Sequence, residues 1–308
     1  MIHTYDLAPD DRADDTAQKI LDRLFRVLQS NVEGVIKNLG VDFLHDLRVA
    51  NRRTRTALSQ TRGVLPSSVL ESFRPEFKWV GDVTGPCRDL DVFLLELDGY
   101  RHQPQIDDDA LGPLEISMTK KRRLQHDLVR AALLSERFHN LIEHWRRFLE
   151  IGGDEEVWPP LASSPIIEVA SPRILKAYRR MLKRGTGIEI EPPAALLHQL
   201  RIDGNKLRYL LEFFSDLYPR EIALRFIREL KHLQDILGGF NDTVVQLVLI
   251  EEFVKQNTPS IETLAAVKRL TEAITNRQRK LRSEFGERFE LFASDESRKL
   301  YKRTVEAN

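Results

Sequence analysis

The chain has a single cysteine, Cys87, in 308 residues, which excludes an intrachain disulfide framework and fits a reducing compartment. No apolar run approaches the ~20 residues that a membrane-spanning helix needs. The first residues, Met1 to Asp10, are acidic and lack an apolar stretch, so no secretory signal is read. The expectation is a soluble, cytoplasmic protein with no membrane partner. Strand-like alternation is nearly absent, which excludes sandwiches, barrels and doubly wound sheets. Excess charge of either sign is also missing: 47 Lys and Arg face 47 Asp and Glu, for a formal net charge of +0. A basic site must therefore arise by segregating charge, not by accumulating it.

What the chain does have is helical periodicity. After Asp14 and Asp15, the residues Ile20, Leu21, Leu24, Phe25 and Leu28 recur at helical spacing. Further helices are predicted over 42–62, 67–83, 89–97 and 114–150, with 100–113 as a loop. Gly85-Pro86 reads as an interruption after the helix over 67–83. Residues 151–171, rich in Gly and Pro, read as a linker, and Pro172 opens the next helix. Helices then follow over 172–184, 194–214, 220–237, 241–256 and 260–291, with Gly238-Gly239 as a second interruption. The expected architecture is all-α, one domain in two halves, about 14–150 and 172–295.

The halves match each other. His45-Asp-Leu47-Arg48 … Arg53-Thr-Arg55 reappears as His198-Gln-Leu200-Arg201 … Lys206-Leu-Arg208, an offset of 198 − 45 = 153 residues. The same offset relates Pro66 to Pro219, Phe73 to Phe226, Lys78 to Lys231, Asp82 to Asp235, Gly85 to Gly238 and Asp89 to Asp242. Register held without a gap from His45 to Asp89 reads as an internal duplication.

What repeats most faithfully is a basic face. At about 100° per residue, His45, Arg48, Arg52 and Arg55 share one stripe, while Leu47, Ala50, Ala57 and Leu58 lie opposite. In the second copy, His198, Arg201, Asn205 and Arg208 share the stripe, opposite Leu200, Leu207, Leu210, Leu211 and Phe214. Arg53 and Lys206 stand apart from the two stripes. An ordinary solvated helix face mixes signs, yet residues 45–62 carry five Arg against one acid, Asp46. Like charges three and four residues apart disfavour a helix, and an anionic ligand compensates them. Arginine suits phosphate oxygens through its forked donors, and lysine serves as a point charge. A histidine beside Arg at +3 fits phosphate contact better than metal ligation. His45-Asp46 is a bare dipeptide whose second copy has Gln199 in place of the acid, so no metal site is read there.

Each basic helix precedes an acid-containing turn: Gly85-Pro-Cys-Arg88-Asp89 and Gly238-Gly-Phe-Asn241-Asp242. These read as a glycine helix end followed by an Asp or Asn-Asp helix start. Asp82 and Asp235 read as supports that pin basic side chains. Arg88 reads as a further phosphate ligand.

Taken together, the His-x-x-Arg-x-x-x-(Arg/Asn)-(Arg/Lys)-x-Arg pattern in both halves, Arg88-Asp89-Leu-Asp91-Val, and Leu233-Gln-Asp235-Ile-Leu-Gly238-Gly-Phe-Asn241-Asp242 resemble the CHAD domain, the conserved histidine α-helical domain. The likeness runs over about 15–295. It implies two four-helix bundles related by a pseudo-two-fold axis around a basic central surface or pore. It also implies non-catalytic binding of inorganic polyphosphate, with no cofactor, on polyphosphate granules in the company of granule-associated proteins. Carried over by position, the polyphosphate shell comprises His45, Arg48, Arg52, Arg53, Arg55, His198, Arg201, Lys206 and Arg208. The long fourth helices add Lys121, Arg123, Arg277 and Lys280. A fused triphosphate tunnel metalloenzyme would need a Glu-x-Glu-x-Lys strand. Glu189-Ile-Glu191-Pro-Pro lacks the lysine, so the chain reads as a stand-alone member. Asn205 in place of Arg52 departs from strict repetition and makes the halves unequal.

Two alternatives stay open on the residues alone. One is a metal-dependent enzyme acting on polyphosphate or a phosphorylated metabolite, with Asp82, Asp89, Asp235 and Asp242 as metal carboxylates. The other is a nucleic-acid-binding helical protein. That reading is disfavoured because Tyr209 is the one aromatic inside either basic motif, and base stacking wants more.

Overall fold

The computed structural model describes residues 5–103, 108–152, 158–186 and 192–306. Among the described residues ten α-helices run in chain order: α1 Ala13–Ile36, α2 Val41–Gln60, α3 Ser67–Arg101, α4 Asp108–Leu133, α5 Glu136–Ile151, α6 Ile166–Gly185, α7 Ala194–Phe213, α8 Arg220–Asn257, α9 Ile261–Phe292 and α10 Asp295–Glu306. There is no β-strand among the described residues. The all-α expectation holds.

Helix boundaries keep the spacing seen in the sequence. The starts of α1 and α6 differ by 166 − 13 = 153, those of α2 and α7 by 194 − 41 = 153, and those of α3 and α8 by 220 − 67 = 153. The ends of α2 and α7 also differ by 213 − 60 = 153. Hairpins α1–α2 and α6–α7 pack tightly, each followed by its own long helix. In the first hairpin Gly34 is required: a Cβ there would lie 2.1 Å from the Phe43 ring.

Several expected boundaries move. Gly85-Pro86 does not interrupt a helix, because α3 continues from Ser67 to Arg101 with Pro75 and Pro86 inside it. Proline removes a backbone donor and crowds the preceding turn. Near that turn, side chains add hydrogen bonds to neighbouring carbonyls. Arg48 donates to the Gly81 carbonyl at 2.8 Å, and the Thr84 hydroxyl donates to the Val80 carbonyl at 2.7 Å. Gly238-Gly239 likewise sits within α8. Asp89 and Asp242 therefore lie mid-helix, and their reading as helix caps is corrected.

The expected helix 114–150 is two helices. Ser135 caps α5 by accepting a hydrogen bond from the Phe138 amide at 3.3 Å, the residue type that N-caps prefer. Helix α6 starts at Ile166 instead of Pro172, which falls inside it. The preceding chain is tied to the N-terminal segment. Ala13 and Asp14 amides donate to the carbonyls of Ser164 and Ala162, and the Ile166 amide donates to Asp11. Residues 153–157 of the expected linker, and Glu189 and Glu191, lie outside the described residues. Helix α10 had no expected counterpart. It is held by Tyr301, which is fully buried and stacks on Tyr178 at 3.8 Å and on Phe226 at 3.7 Å.

The cores are shared between halves. One large apolar cluster joins Leu21, Leu47, Leu58, Phe77 and Trp145 of the first half to Leu207, Leu210, Phe226 and Phe285 of the second. A second cluster packs Leu90, Phe93 and Leu97 of α3 with Leu111 and Leu114 of α4, Ile250 and Phe253 of α8, and Leu270 and Ile274 of α9. Fully burying one such side chain stabilises by about 1.5–3 kcal/mol. The halves are thus held as one body, with α2 packed beside α7 and α3 beside α8.

Candidate anion-binding cleft

Helices α2 and α7 each bury one face and turn the other to a common cleft. On α2, Leu44, Leu47, Ala50 and Leu58 are buried, while Arg48, Arg52 and Arg55 line the cleft. On α7, Leu200, Leu207 and Leu210 are buried, while Arg201, Asn205 and Arg208 line it. Side walls come from α3 and α8. The α2–α3 contact is close because of Gly81, where a Cβ would lie 2.9 Å from Arg55 Nη1 and 3.2 Å from Asn51 Nδ2. Asn51 is buried and donates to the Phe77 carbonyl at 3.0 Å. Arg48 Nη1 reaches both the Gly81 carbonyl and, at 2.7 Å, the Thr84 hydroxyl.

The cleft has a volume of ≈ 630 Å³. His45, Arg48, Arg52, Arg55, Arg88, Arg201, Arg208 and Arg277 line it, together with Asp89, Glu96, Asp235 and Asp242. Gly238 and Gly239 line it as well, and a Cβ on Gly238 would meet nothing within 4 Å. Gly238 thus faces open space, while a Cβ on Gly239 would stand 3.3 Å from Leu281 of α9.

Like charges crowd here. Burial holds the Arg48 guanidinium below its usual pKa, and Arg52, Arg88 and Arg201 push the same way against Asp89. Burial does the same to Arg201, with Arg52 adding to it. Arg48 and Arg52 of the first half thus act directly on Arg201 of the second. Arg88 Nη1 and Arg201 Nε are buried without a hydrogen-bond partner. Such an atom has lost water without regaining a bond, which costs about 1–3 kcal/mol. A phosphate oxygen would restore the bond. Protein packed around the His45 ring and the Arg88 charge lower the His45 pKa below its ordinary value.

The carboxylates have their own order. Burial raises Asp89 despite Arg48, Arg201 and Arg88 nearby. Burial and then Glu96 push Asp242 up to about 6, against Arg201 and Arg277. Glu96 grips Arg277 through both guanidinium nitrogens, at 2.5 and 3.1 Å, and accepts a further hydrogen bond from Gln246.

Other expected ligands go elsewhere. Arg53 crosses to α7, where it pairs with Glu212 at 3.1 Å and lies over Tyr209 and Phe213. Lys206 faces α6, beside Arg180, Lys176 and Asp203. His198 is exposed at the rim, 3.1 Å from Asn241 Oδ1. Lys121 pairs with Glu252, and Arg123 and Lys280 are exposed and do not line the cleft. Asp82 pairs with Lys78 of its own helix at 2.5 Å and pins nothing on α2. Asp235 does line the cleft, exposed. Among the described residues, no three His, Cys, Asp or Glu side chains are grouped to hold a metal ion.

Sequence reasoning missed Glu96 and Gln234, which line the cleft, Thr84, which holds Arg48, and the support role of Tyr209, a buried residue whose hydroxyl accepts from Arg52 Nε at 2.8 Å. Glu96 lies two turns past Asp89 on what is now one continuous helix. A continuous α3 would have placed both on nearby faces. Nothing local marks Tyr209, since its partner is 157 residues away.

The CHAD domain family model matches residues 19–251, more than half of the chain. The protein belongs to the CHAD domain family, which is associated with polyphosphate binding. Its fold resembles the crystal structure of the CHAD domain from the plant Ricinus communis, with a TM-score of 0.70 and 24% identity, covering 98% of this chain and 94% of that one. It also resembles PptA from Streptomyces chartreusis, with a TM-score of 0.67 and 18% identity, covering 91% of this chain and 100% of that one. At these identities the likeness is one of fold. No curated protein matches the chain. No helix among the described residues is long and apolar enough to cross a membrane.

Proposed function

We propose that the cleft between α2 and α7 binds inorganic polyphosphate without chemical turnover. One observation carries this reading: Arg48, Arg52, Arg88 and Arg201 converge from both halves, two of them with buried nitrogens that lack a partner. A multiply charged phosphate chain offers many acceptors at once, which suits convergent guanidinium groups. The ligand shell is Arg48, Arg52, Arg55, Arg88, Arg201 and Arg208, with His45 at the rim. Arg53 acts indirectly, by fastening α2 to α7. The equal spacing of helix starts supports an internal duplication that produced the two basic helices. On this reading the protein is cytoplasmic and follows polyphosphate to granules.

The test is titration with long-chain polyphosphate across a salt series. Affinity is expected to be micromolar or tighter. By analogy with single-stranded nucleic acid, the logarithm of the binding constant should fall by about 0.7 per neutralised phosphate for each tenfold rise in salt. Salt-independent binding would overturn the electrostatic reading. Incubation with Mg²⁺ or Mn²⁺ should release no phosphate. Sustained release would make the protein an enzyme.

A further inference from the structure

The outer side of α7 carries a second concentration of positive charge. Helix α6, Ile166–Gly185, bears Arg173, Lys176, Arg179, Arg180, Lys183 and Arg184 against one acid, Glu168. Its counterpart α1, Ala13–Ile36, bears three bases, Lys19, Arg23 and Arg26, against four acids, Asp14, Asp15, Asp22 and Glu33. The imbalance is therefore a property of the second half and not of the shared scaffold.

Across from α6, Lys206 of α7 stands within the fields of Arg180 and Lys176. One carboxylate answers this group. Asp203, 3% exposed, takes Arg180 Nε at 3.0 Å and Arg184 Nε at 2.8 Å. Arg184 Nη1 makes a long contact with Gln199 at 3.3 Å. Asp203 thus fixes two forks in place without neutralising the group. Four cations, Lys176, Arg180, Arg184 and Lys206, share one buried anion.

This face is separate from the cleft. Lys206 is five residues from Arg201, about 140° around the helix, and none of the four cations lines the cleft. The repeat mate of Lys206 is Arg53, at 206 − 53 = 153, and it is consumed by Glu212. The mate of Asp203 is Ala50, a core residue. Among the described residues, the first half has no equivalent of this face.

We propose that Lys176, Arg180, Arg184 and Lys206 form a second phosphate-chain site on the α6–α7 face. The proposal rests on the polyphosphate reading of the cleft and extends it to two sites per molecule. Two sites on opposite sides of one helix, whose diameter is about 10 Å, let one long chain engage both. They also let two chains be joined by one protein. Long chains then gain affinity by effective concentration, which short ones cannot.

The test uses the full chain, with sodium tripolyphosphate and long-chain polyphosphate as probes, followed by calorimetry. The wild type should take two tripolyphosphates per chain. Lys176→Ser with Lys206→Gln leaves the Arg180–Asp203–Arg184 cluster intact. It should keep one tripolyphosphate and lose about fivefold or more in long-chain affinity, by removal of the second contact. Arg88→Ala with Arg201→Ala should lose the other tripolyphosphate, which separates failure of the cleft reading from failure of this one. Lys176→Glu alone, at an exposed position, repeats the test should the double variant unfold. One tripolyphosphate per wild-type chain, or two retained in the Lys176 and Lys206 variants, would overturn the second site.

Discussion

The two walls of the cleft are built from helix pairs whose starts lie 153 residues apart, and they are charged differently. The α2–α3 wall carries Arg48, Arg52, Arg55 and Arg88 with His45 at its edge. On the α7–α8 wall, Arg52 and Arg88 are replaced by Asn205 and Asn241, leaving Arg201 and Arg208. Arg208 stands 3.6 Å from Glu212, and Arg277 from α9 is clasped by Glu96 of the opposite wall. The same helix spacing thus gives one wall where Arg48 and Arg52 hydrogen-bond to neutral oxygens, and another whose cations are fewer and partly paired with Glu. A scaffold fixes where a side chain projects, and the residue at that position then sets how strongly the wall attracts an anion.

The sharpest way to break this comparison is to disarm each wall in turn. Arg52→Ala with Arg88→Ala should weaken long-chain polyphosphate binding by ~100-fold or more, at about 1.5–3 kcal/mol per charged hydrogen bond. Arg201→Ala with His198→Ala should cost about tenfold, because one of the pair sits only at the rim. Equal losses in the two titrations would refute the asymmetry. Restoring the missing cation sharpens it: Asn205→Arg should tighten binding by roughly three- to tenfold and steepen the salt dependence by about 0.7. No gain would place position 205 off the ligand's path.

The smallest expected effect is in pH. Asp242, pushed up to about 6, loses its negative charge as pH falls through that value. His45, with its pKa lowered, gains a positive charge further into acid. Both changes make the cleft more positive, so affinity should rise a few-fold on going from neutral to mildly acidic pH, and Asp242→Asn should flatten the part of that rise near pH 6. Stability follows the same sign. A carboxylate whose folded pKa exceeds its unfolded value opposes folding above the folded value. That penalty is relieved as pH falls from about 6 toward the ordinary carboxylate range. Melting curves of the wild type and of Asp242→Asn should converge there.

Much of the lining of the candidate cleft was legible in the sequence because it lies on two helices whose stripes follow from spacing alone. Arg48, Arg52, Arg55, Arg201 and Arg208 fall where a helical projection puts them. Residues off the stripe were not legible, because a projection gives a direction and not a neighbour. Arg53 and Lys206 share one register, yet Glu212 captures the first and α6 surrounds the second. Gly85-Pro86 and Gly238-Gly239 look like helix ends. They lie inside α3 and α8, where burial of the flanking Val80, Cys87 and Leu90, and of Leu237 and Phe240, overrides the local helix-breaking preference. Helix α10 depends on Tyr301 meeting Tyr178 and Phe226, contacts that no local pattern records.

The most direct measurement is a structure of the protein crystallised with polyphosphate. The account predicts a chain of phosphates between α2 and α7, with oxygens at hydrogen-bond distance from Arg52, Arg88 and Arg201. Phosphate density confined to other surfaces, with the cleft empty, would contradict it.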